Sequence, residues 1–256
     1  MAIKLKHVEA ALESVEVFSS PKYELEQYPT SPHLAARMIF TAATSFEDIV
    51  DRHVLDLGCG TGMLSIASCF LGAGAVTGID IDPDAIAQAH ENLDNLELDA
   101  DLVLSDIEHL KVAPKSVDTV VSNPPFGTRH AGIDSVFFLQ GARAARNAVY
   151  LLYKSSTRAH FERLSAQIGA SVQLVAEMRF DIPKMYAFHR QKSVDIEVDM
   201  VRVDVSSVTP AAVDAVLADR AAALPSAPVD LAAELAEGAA APPAAPARSN
   251  ARAGGR

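Results

Sequence analysis

Between His53 and Gly169, short apolar runs rich in β-branched residues alternate with helix-length segments, and this leaves few folds open. Strands are expected at His53–Leu57, Ala75–Asp80, Asp101–Ser105, Val117–Ser122 and Asn147–Tyr153. Helices are expected at Gly62–Leu71, Pro83–Leu96, Asp134–Ala144 and Thr157–Gly169. Asp82-Pro83 makes a strong helix start, because a proline in the first turn forfeits no hydrogen bond. Strand–helix units of this length cross over, so their strands run parallel with helices on both faces. After the last helix, Val172–Phe180 and Ser193–Val205 read as an antiparallel hairpin, with Pro183 and a polar loop between them. The expected fold class is α/β: a seven-stranded, mostly parallel sheet with an antiparallel C-terminal hairpin.

The segment after the fourth strand has narrow chemistry. In Asn123-Pro124-Pro125-Phe126 the tandem prolines cannot continue a sheet, and they hold Asn123 extended. Such a turn presents an amide, proline-region carbonyls and one aromatic ring to the crevice where open α/β sheets bind ligands. An amide and a carbonyl together accept from both hydrogens of a flat amine, and the ring stacks on the plane that bears it. This suits an amine conjugated to a base or to a carbonyl. A plain Asn-Pro turn is the alternative for part of the motif.

Val54-Leu-Asp-Leu-Gly-Cys-Gly-Thr-Gly62 runs a strand into a glycine-rich turn, where Gly58, Gly60 and Gly62 permit tight turning and close approach of a ligand. Alone this fits any dinucleotide fold. Asp80 narrows it, since an acid ending the next strand accepts from a ribose diol. Asp106 ends the third strand, within reach of an adenine edge. Acids at successive strand ends suit a cationic nucleoside without phosphate, and S-adenosylmethionine is one; Asp56 is placed to meet its ammonium. Capping of the following helix is the alternative role for Asp80 and for Asp106. Upstream, Gln27, Tyr28 and Thr30 are candidates to cover the cofactor, while Thr30 or Ser31 is suited to cap a helix at His33–Thr41 with Pro32 in its first turn.

Composition bounds the rest. With 49% hydrophobic residues in 256, a substantial core is available. The charged stretch Met1–Lys6 does not read as a secretory leader, and no apolar run approaches a membrane span. Cys59 and Cys69 lack paired zinc-site spacing, so no metal site and no disulfide are expected, which favours a soluble intracellular setting. A net charge of −11 argues against broad nucleic-acid affinity but leaves room for a local basic rim. Residues 1–205 are expected to form one domain, with residues 1–45 as a cofactor-covering segment and helix. Residues 206–256 read as an Ala/Pro-rich disordered tail, of which Pro210–Ala223 has transient helical character.

The glycine turn, Asp80, Asp106 and Asn-Pro-Pro-Phe together resemble class I S-adenosylmethionine-dependent amino-group methyltransferases, whose sheet is Rossmann-like. Leu25-Glu-Gln-Tyr-Pro-Thr30, His33-Leu-Ala-Ala-Arg-Met38, Asn123-Pro-Pro-Phe-Gly-Thr128, Lys154-Ser-Ser-Thr157 and Lys192-Ser-Val-Asp-Ile-Glu-Val198 resemble the methyltransferase-like protein 5 family more closely. The resemblance covers residues 1–205. It implies methylation of adenine N6 in small-subunit (18S) ribosomal RNA, acting in the nucleus, the cytoplasm or both. It also implies cofactor contacts at Gln27, Thr30, Gly58, Thr61, Met63, Asp80, Asp106 and Ile107. Thr61 departs from the cysteine expected in animal members, a small change if that contact is made by the backbone. Catalysis would rest on Asn123 and the Pro124 carbonyl as acceptors of the N6 hydrogens, with Phe126 stacking the base.

Two further expectations concern partners. Arg129, His130, Lys154, Arg158, Lys184, His189, Arg190 and Lys192 are candidates for a basic rim that meets ribosomal RNA. The third strand lies at a sheet edge in the class I order, and Leu102 and Leu104 make it apolar. In the resembled family a small zinc-binding activator subunit adds its own strand there, which implies a heterodimer. The rival readings are a protein-glutamine N5 methyltransferase acting on a release factor, which shares the loop chemistry, and a non-catalytic scaffold.

Overall fold

A computed structural model describes residues 3–127, 129–183 and 193–223. The chain divides into two compact units, Met1–Asp219 and Arg220–Arg256. Of the second, only Arg220–Ala223 are described, and they are helical. The first unit holds the whole sheet. Its strands are β1 (His53–Leu57), β2 (Ala75–Asp80), β3 (Asp101–Leu104), β4 (Val117–Ser122), β5 (Ala145–Lys154), β6 (Ser171–Pro183) and β7 (Ser193–Asp204). Helices α1 (Leu5–Leu12), α2 (Pro32–Thr44), α3 (Met63–Phe70), α4 (Pro83–Asn95), α5 (Ile133–Ala144), α6 (Arg158–Gln167) and α7 (Pro210–Ala223) complete it.

The strand order is β3-β2-β1-β4-β5-β7-β6, parallel as far as β5, with β7 antiparallel to both of its neighbours. Successive strand residues point to opposite faces, and both faces are apolar. Val54, Val121 and Tyr150 pack with Ile39 of α2 and Ile66 of α3, while Leu55, Val120 and Val149 pack with Phe138 of α5 and Phe161 of α6. That double burial explains why these strands read as continuous apolar runs.

Each expected strand and helix is present, with ends that differ by a few residues. Ser31 caps α2 by accepting from the Leu34 amide at 3.3 Å, with Pro32 in the first turn, and Thr30 is left to other work. Helix α1 is an addition. Only Val8 and Leu12 are buried in its eight residues, so its stability comes from docking rather than propensity. Val208 and Val213 are also buried, beyond residue 205, on the layer that contains α5 and α6.

The order reverses between β1 and β4, so the loops after them leave in opposite directions and open a crevice. The two strand ends are pinned together, because the Ser122 hydroxyl at the end of β4 donates to the Leu57 carbonyl at the end of β1, at 2.6 Å. At the far edge, β3 leaves Val103 41% and Leu104 56% exposed, whereas Leu102 is half-buried.

Candidate active site

The turn after β1 is held in place from β2. The amides of Gly58 and Cys59 both donate to the Ile79 carbonyl, at 2.8 and 3.0 Å. Gly58 and Gly60 have positive φ, 70° and 55°, and a Cβ on Gly58 would lie 2.9 Å from the Phe137 ring. Gly62 starts α3 in the left-handed region. The backbone thereby lies flat along the floor of a cleft of about 210 Å³.

Asp80 lies at the rim of that floor. Its carboxylate accepts from the Gly60 amide at 2.8 Å and the Asp82 amide at 2.9 Å, one bond per oxygen. It lines the cleft, and burial pushes its pKa up. A carboxylate so fixed keeps a lone pair on each oxygen for a diol. Asp106 also lines the cleft and at the same time caps the 3-10 turn Ile107–His109, accepting from the Glu108 amide at 2.9 Å. The capping alternative therefore holds for Asp106; for Asp80 that role falls instead to Asp82, which starts α4. Thr61, Met63 and Ile107 join the cleft wall. Asp56 does not: it is fully buried behind the turn, accepting from the Ser65 hydroxyl at 2.7 Å.

The N-terminal strap closes the cleft from above. Gln27, Tyr28 and Thr30 all line it, as their reading as a cover requires. The carboxamide of Gln27 is engaged at both ends, accepting from the Lys22 amide at 2.8 Å and donating to Asp82 at 2.6 Å. The Lys22 ammonium also pairs with Asp82. Burial opposes the Asp82 charge, yet Lys22 and Gln27 outweigh it and hold the carboxyl below its ordinary value. Lys22 and Phe18, whose ring stands over Gly60, were not singled out from sequence, and Asp82 was read only as a helix start. Their partners lie tens of residues away along the chain, and no local pattern announces such pairs.

Asn123 and Pro125 face the cleft from the end of β4. The Asn123 amide nitrogen donates to the Thr30 hydroxyl at 2.8 Å, which turns the amide oxygen inward, buried and with no hydrogen-bond partner among the described residues. Phe126 is only 8% exposed: the Tyr28 ring lies 5.2 Å away and the Lys154 ammonium 5.6 Å from its centroid. The Tyr28 hydroxyl donates to the Pro124 carbonyl at 3.4 Å.

Of the expected basic rim, Lys154 stands beside Phe126, and His130 lines the cleft. Arg129 covers the Tyr23 ring at 3.7 Å, and its amide donates to Glu26. Arg158 is committed to Asp199 and Glu177. Lys184, His189, Arg190 and Lys192 lie outside the described residues.

A switch-point crevice with a glycine floor, strand-end acids and an Asn-Pro-Pro-Phe wall belongs to the class of α/β methyltransferases. Residues 37–180 match the methyltransferase small domain model. The chain is 44% identical over 203 residues to the rRNA N(6)-adenosine-methyltransferase METTL5 of Danio rerio, spanning 78% of this chain and 98% of that relative. It is 45% identical over 209 residues to Mettl5 of Drosophila melanogaster, at 80% and 98% coverage. A proposed RNA methyltransferase from Pyrococcus horikoshii with a solved structure superposes at a TM-score of 0.72 and 32% identity, covering 80% of this chain and 98% of that one. The chain belongs to the methyltransferase-like protein 5 family.

Proposed function

We propose that this protein methylates N6 of an adenosine in small-subunit (18S) ribosomal RNA, with S-adenosylmethionine as methyl donor. The observation that carries this reading is the amide oxygen of Asn123, a residue that lines the cleft: it is a buried acceptor with no hydrogen-bond partner among the described residues. A buried acceptor left unsatisfied costs about 1–3 kcal/mol, so the site is incomplete without a donor from its substrate. The activity named for the relatives from Danio rerio and Drosophila melanogaster supports the same reading.

The residues present fit the cofactor. Asp80, oriented by two backbone amides, suits a ribose diol; Asp106 and Ile107 suit the adenine edge; the glycine floor and Thr61 admit close backbone approach. When bound, the cofactor supplies an electrophilic methyl group on sulfur. The chain's task is to present the amine. In adenine the N6 lone pair is delocalised into the ring. Acceptance of one N–H by the Asn123 oxygen and of the other by the Pro124 carbonyl favours a pyramidal nitrogen and points its lone pair at the methyl group. Once methylated, the nitrogen is acidic enough to lose its proton without a strong base. Stacking on Phe126 adds roughly 1–3 kcal/mol of base binding. Arg129, His130 and Lys154 are the described candidates for an RNA-facing rim; the candidates Arg190 and Lys192 lie outside the described residues.

The reading includes a heterodimer. The exposed edge of β3 suits strand addition, and a small zinc-binding activator subunit is the partner that the family resemblance implies. The central test is Asn123→Ala, assayed with labelled cofactor on small-subunit RNA and, in parallel, on a release factor. Methyl transfer to RNA should fall roughly a hundredfold or more, with calorimetric affinity for S-adenosylmethionine nearly unchanged. The assignment of Asn123 is wrong if cofactor affinity falls as severely as in Asp80→Ala, and labelling of the release factor alone would identify an amide substrate instead.

A further inference from the structure

We propose that Tyr28 is a stand-in for the target base: it fills the subsite that an incoming adenine must take, so that a base enters only by displacing it. The inference rests on the reading of Asn123 and Pro124 as amine acceptors. Two contacts define that subsite, a ring face on Phe126 and a donor to the Pro124 carbonyl. Tyr28 makes both, with its ring centroid 5.2 Å from that of Phe126 at 32° and its hydroxyl 3.4 Å from the carbonyl. With Lys154 on the same ring, Phe126 is left 8% exposed, too little for a base to stack while Tyr28 stays. A phenol and an aminopurine share the relevant shape, a flat ring with a donor at its far end.

They differ in donor count. Tyr28 has one O–H, and it satisfies Pro124 while the Asn123 oxygen has no partner among the described residues. An amine has two N–H groups and satisfies both. Entry of an amine-bearing base therefore exchanges one hydrogen bond for two and ends the desolvation cost at Asn123. A base without the amine gives up the Tyr28 bond and gains none. The residues flanking Tyr28 are tied down, Gln27 to Asp82 and Thr30 to Asn123, so the ring leaves by side-chain rotation while the strap stays closed over the cofactor.

The test measures binding, separately from turnover. Two single-stranded RNA oligonucleotides, one with a central adenosine and one with purine riboside in its place, are titrated by fluorescence anisotropy in the presence of S-adenosylhomocysteine. Tyr28→Ala should bind the adenosine oligonucleotide about tenfold tighter than wild type, the scale of one ring contact and one weak hydrogen bond. It should tighten the purine riboside oligonucleotide by a similar factor, because either base must displace Tyr28, and so keep the wild-type discrimination between the two. Tyr28→Phe, which keeps the ring and the packing, should tighten the adenosine oligonucleotide by about threefold and the purine riboside by a similar factor. Saturating S-adenosylhomocysteine keeps any change in cofactor affinity out of the RNA titrations. Weaker or unchanged adenosine binding by both variants, at wild-type melting temperature, would overturn the proposal and make Tyr28 a fixed wall. Equal binding of the two oligonucleotides by wild type would instead remove the amine-acceptor reading beneath it.

Discussion

Asp56 shows what a single residue's surroundings can do. From sequence it reads as a partner for the cofactor's ammonium, because it precedes the glycine turn. The structure places it fully buried, with one oxygen on the Ser65 hydroxyl and the other without a partner among the described residues. Burial first, and then the nearby Asp80 charge, push its carboxyl up to about 7 from an ordinary 3.8, against the pull of Ser65. A carboxyl raised in this way binds its proton more tightly folded than unfolded. Its contribution to stability is complete below pH 3.8 and is lost as pH rises through about 7. Urea unfolding of wild type and Asp56→Asn, compared from about pH 4 to pH 8, should show the wild-type advantage shrinking by on the order of a few kcal/mol across that window. A difference that stays flat would mean that Asp56 titrates as an ordinary carboxyl. Sequence could place this acid at the right strand position, but not at its depth. Both faces of β1 are covered, so a carboxylate bound for the cleft and one bound for the interior look alike in the strand pattern.

At the scale of elements, the strap repeats that lesson. Its cleft-facing residues Gln27, Tyr28 and Thr30 were legible because they cluster in four residues just before the helix start at Pro32. Its anchor was not. Asp82 gathers Lys22 and Gln27 and still caps α4 through the Asp84 amide at 3.0 Å. Glu26, at a φ of 51°, reaches the amide of Arg129 at 2.7 Å. Asp82→Asn keeps an oxygen for the cap and removes the charge that holds Lys22. The variant should bind S-adenosylmethionine several-fold more weakly, and trypsin should cut faster at Lys22, with a melting temperature close to wild type. Wild-type cofactor affinity and digestion rate in this variant would show that the strap is held by other contacts. The alternation of strands and helices was readable throughout because each element has enough apolar residues to declare its period. Helix α1, with two buried side chains, does not.

For the whole molecule, the exposed edge matters most. Strand β3 ends the sheet, and Val103 and Leu104 face outward from it, whereas Leu102 packs inward toward Gly78. The sequence pointed to Leu102 and Leu104 together; burial separates them. Val103→Lys with Leu104→Lys should therefore block pairing with the proposed zinc-binding activator subunit and leave the core intact, as read by loss of co-elution in size-exclusion chromatography at an unchanged circular dichroism spectrum. Wild-type co-elution by this variant would remove β3 from the interface. Among the described residues no helix is long and apolar enough to cross a membrane.

The place of β7 in the sheet has a consequence for how the protein is made. It is the last strand to leave the ribosome, yet it lies between β5 and β6. Until Ser193–Asp204 has emerged, β5 shows an open edge from Ala148 to Lys154, and β6 has no neighbour to join. At about 5–20 residues per second, the nascent chain carries that open edge for several seconds. Closure waits for β7, which pairs with β5 on one side and carries β6 on the other. A nascent chain halted short of that step would be a natural client for chaperones, drawn to the same backbone groups that β7 later covers.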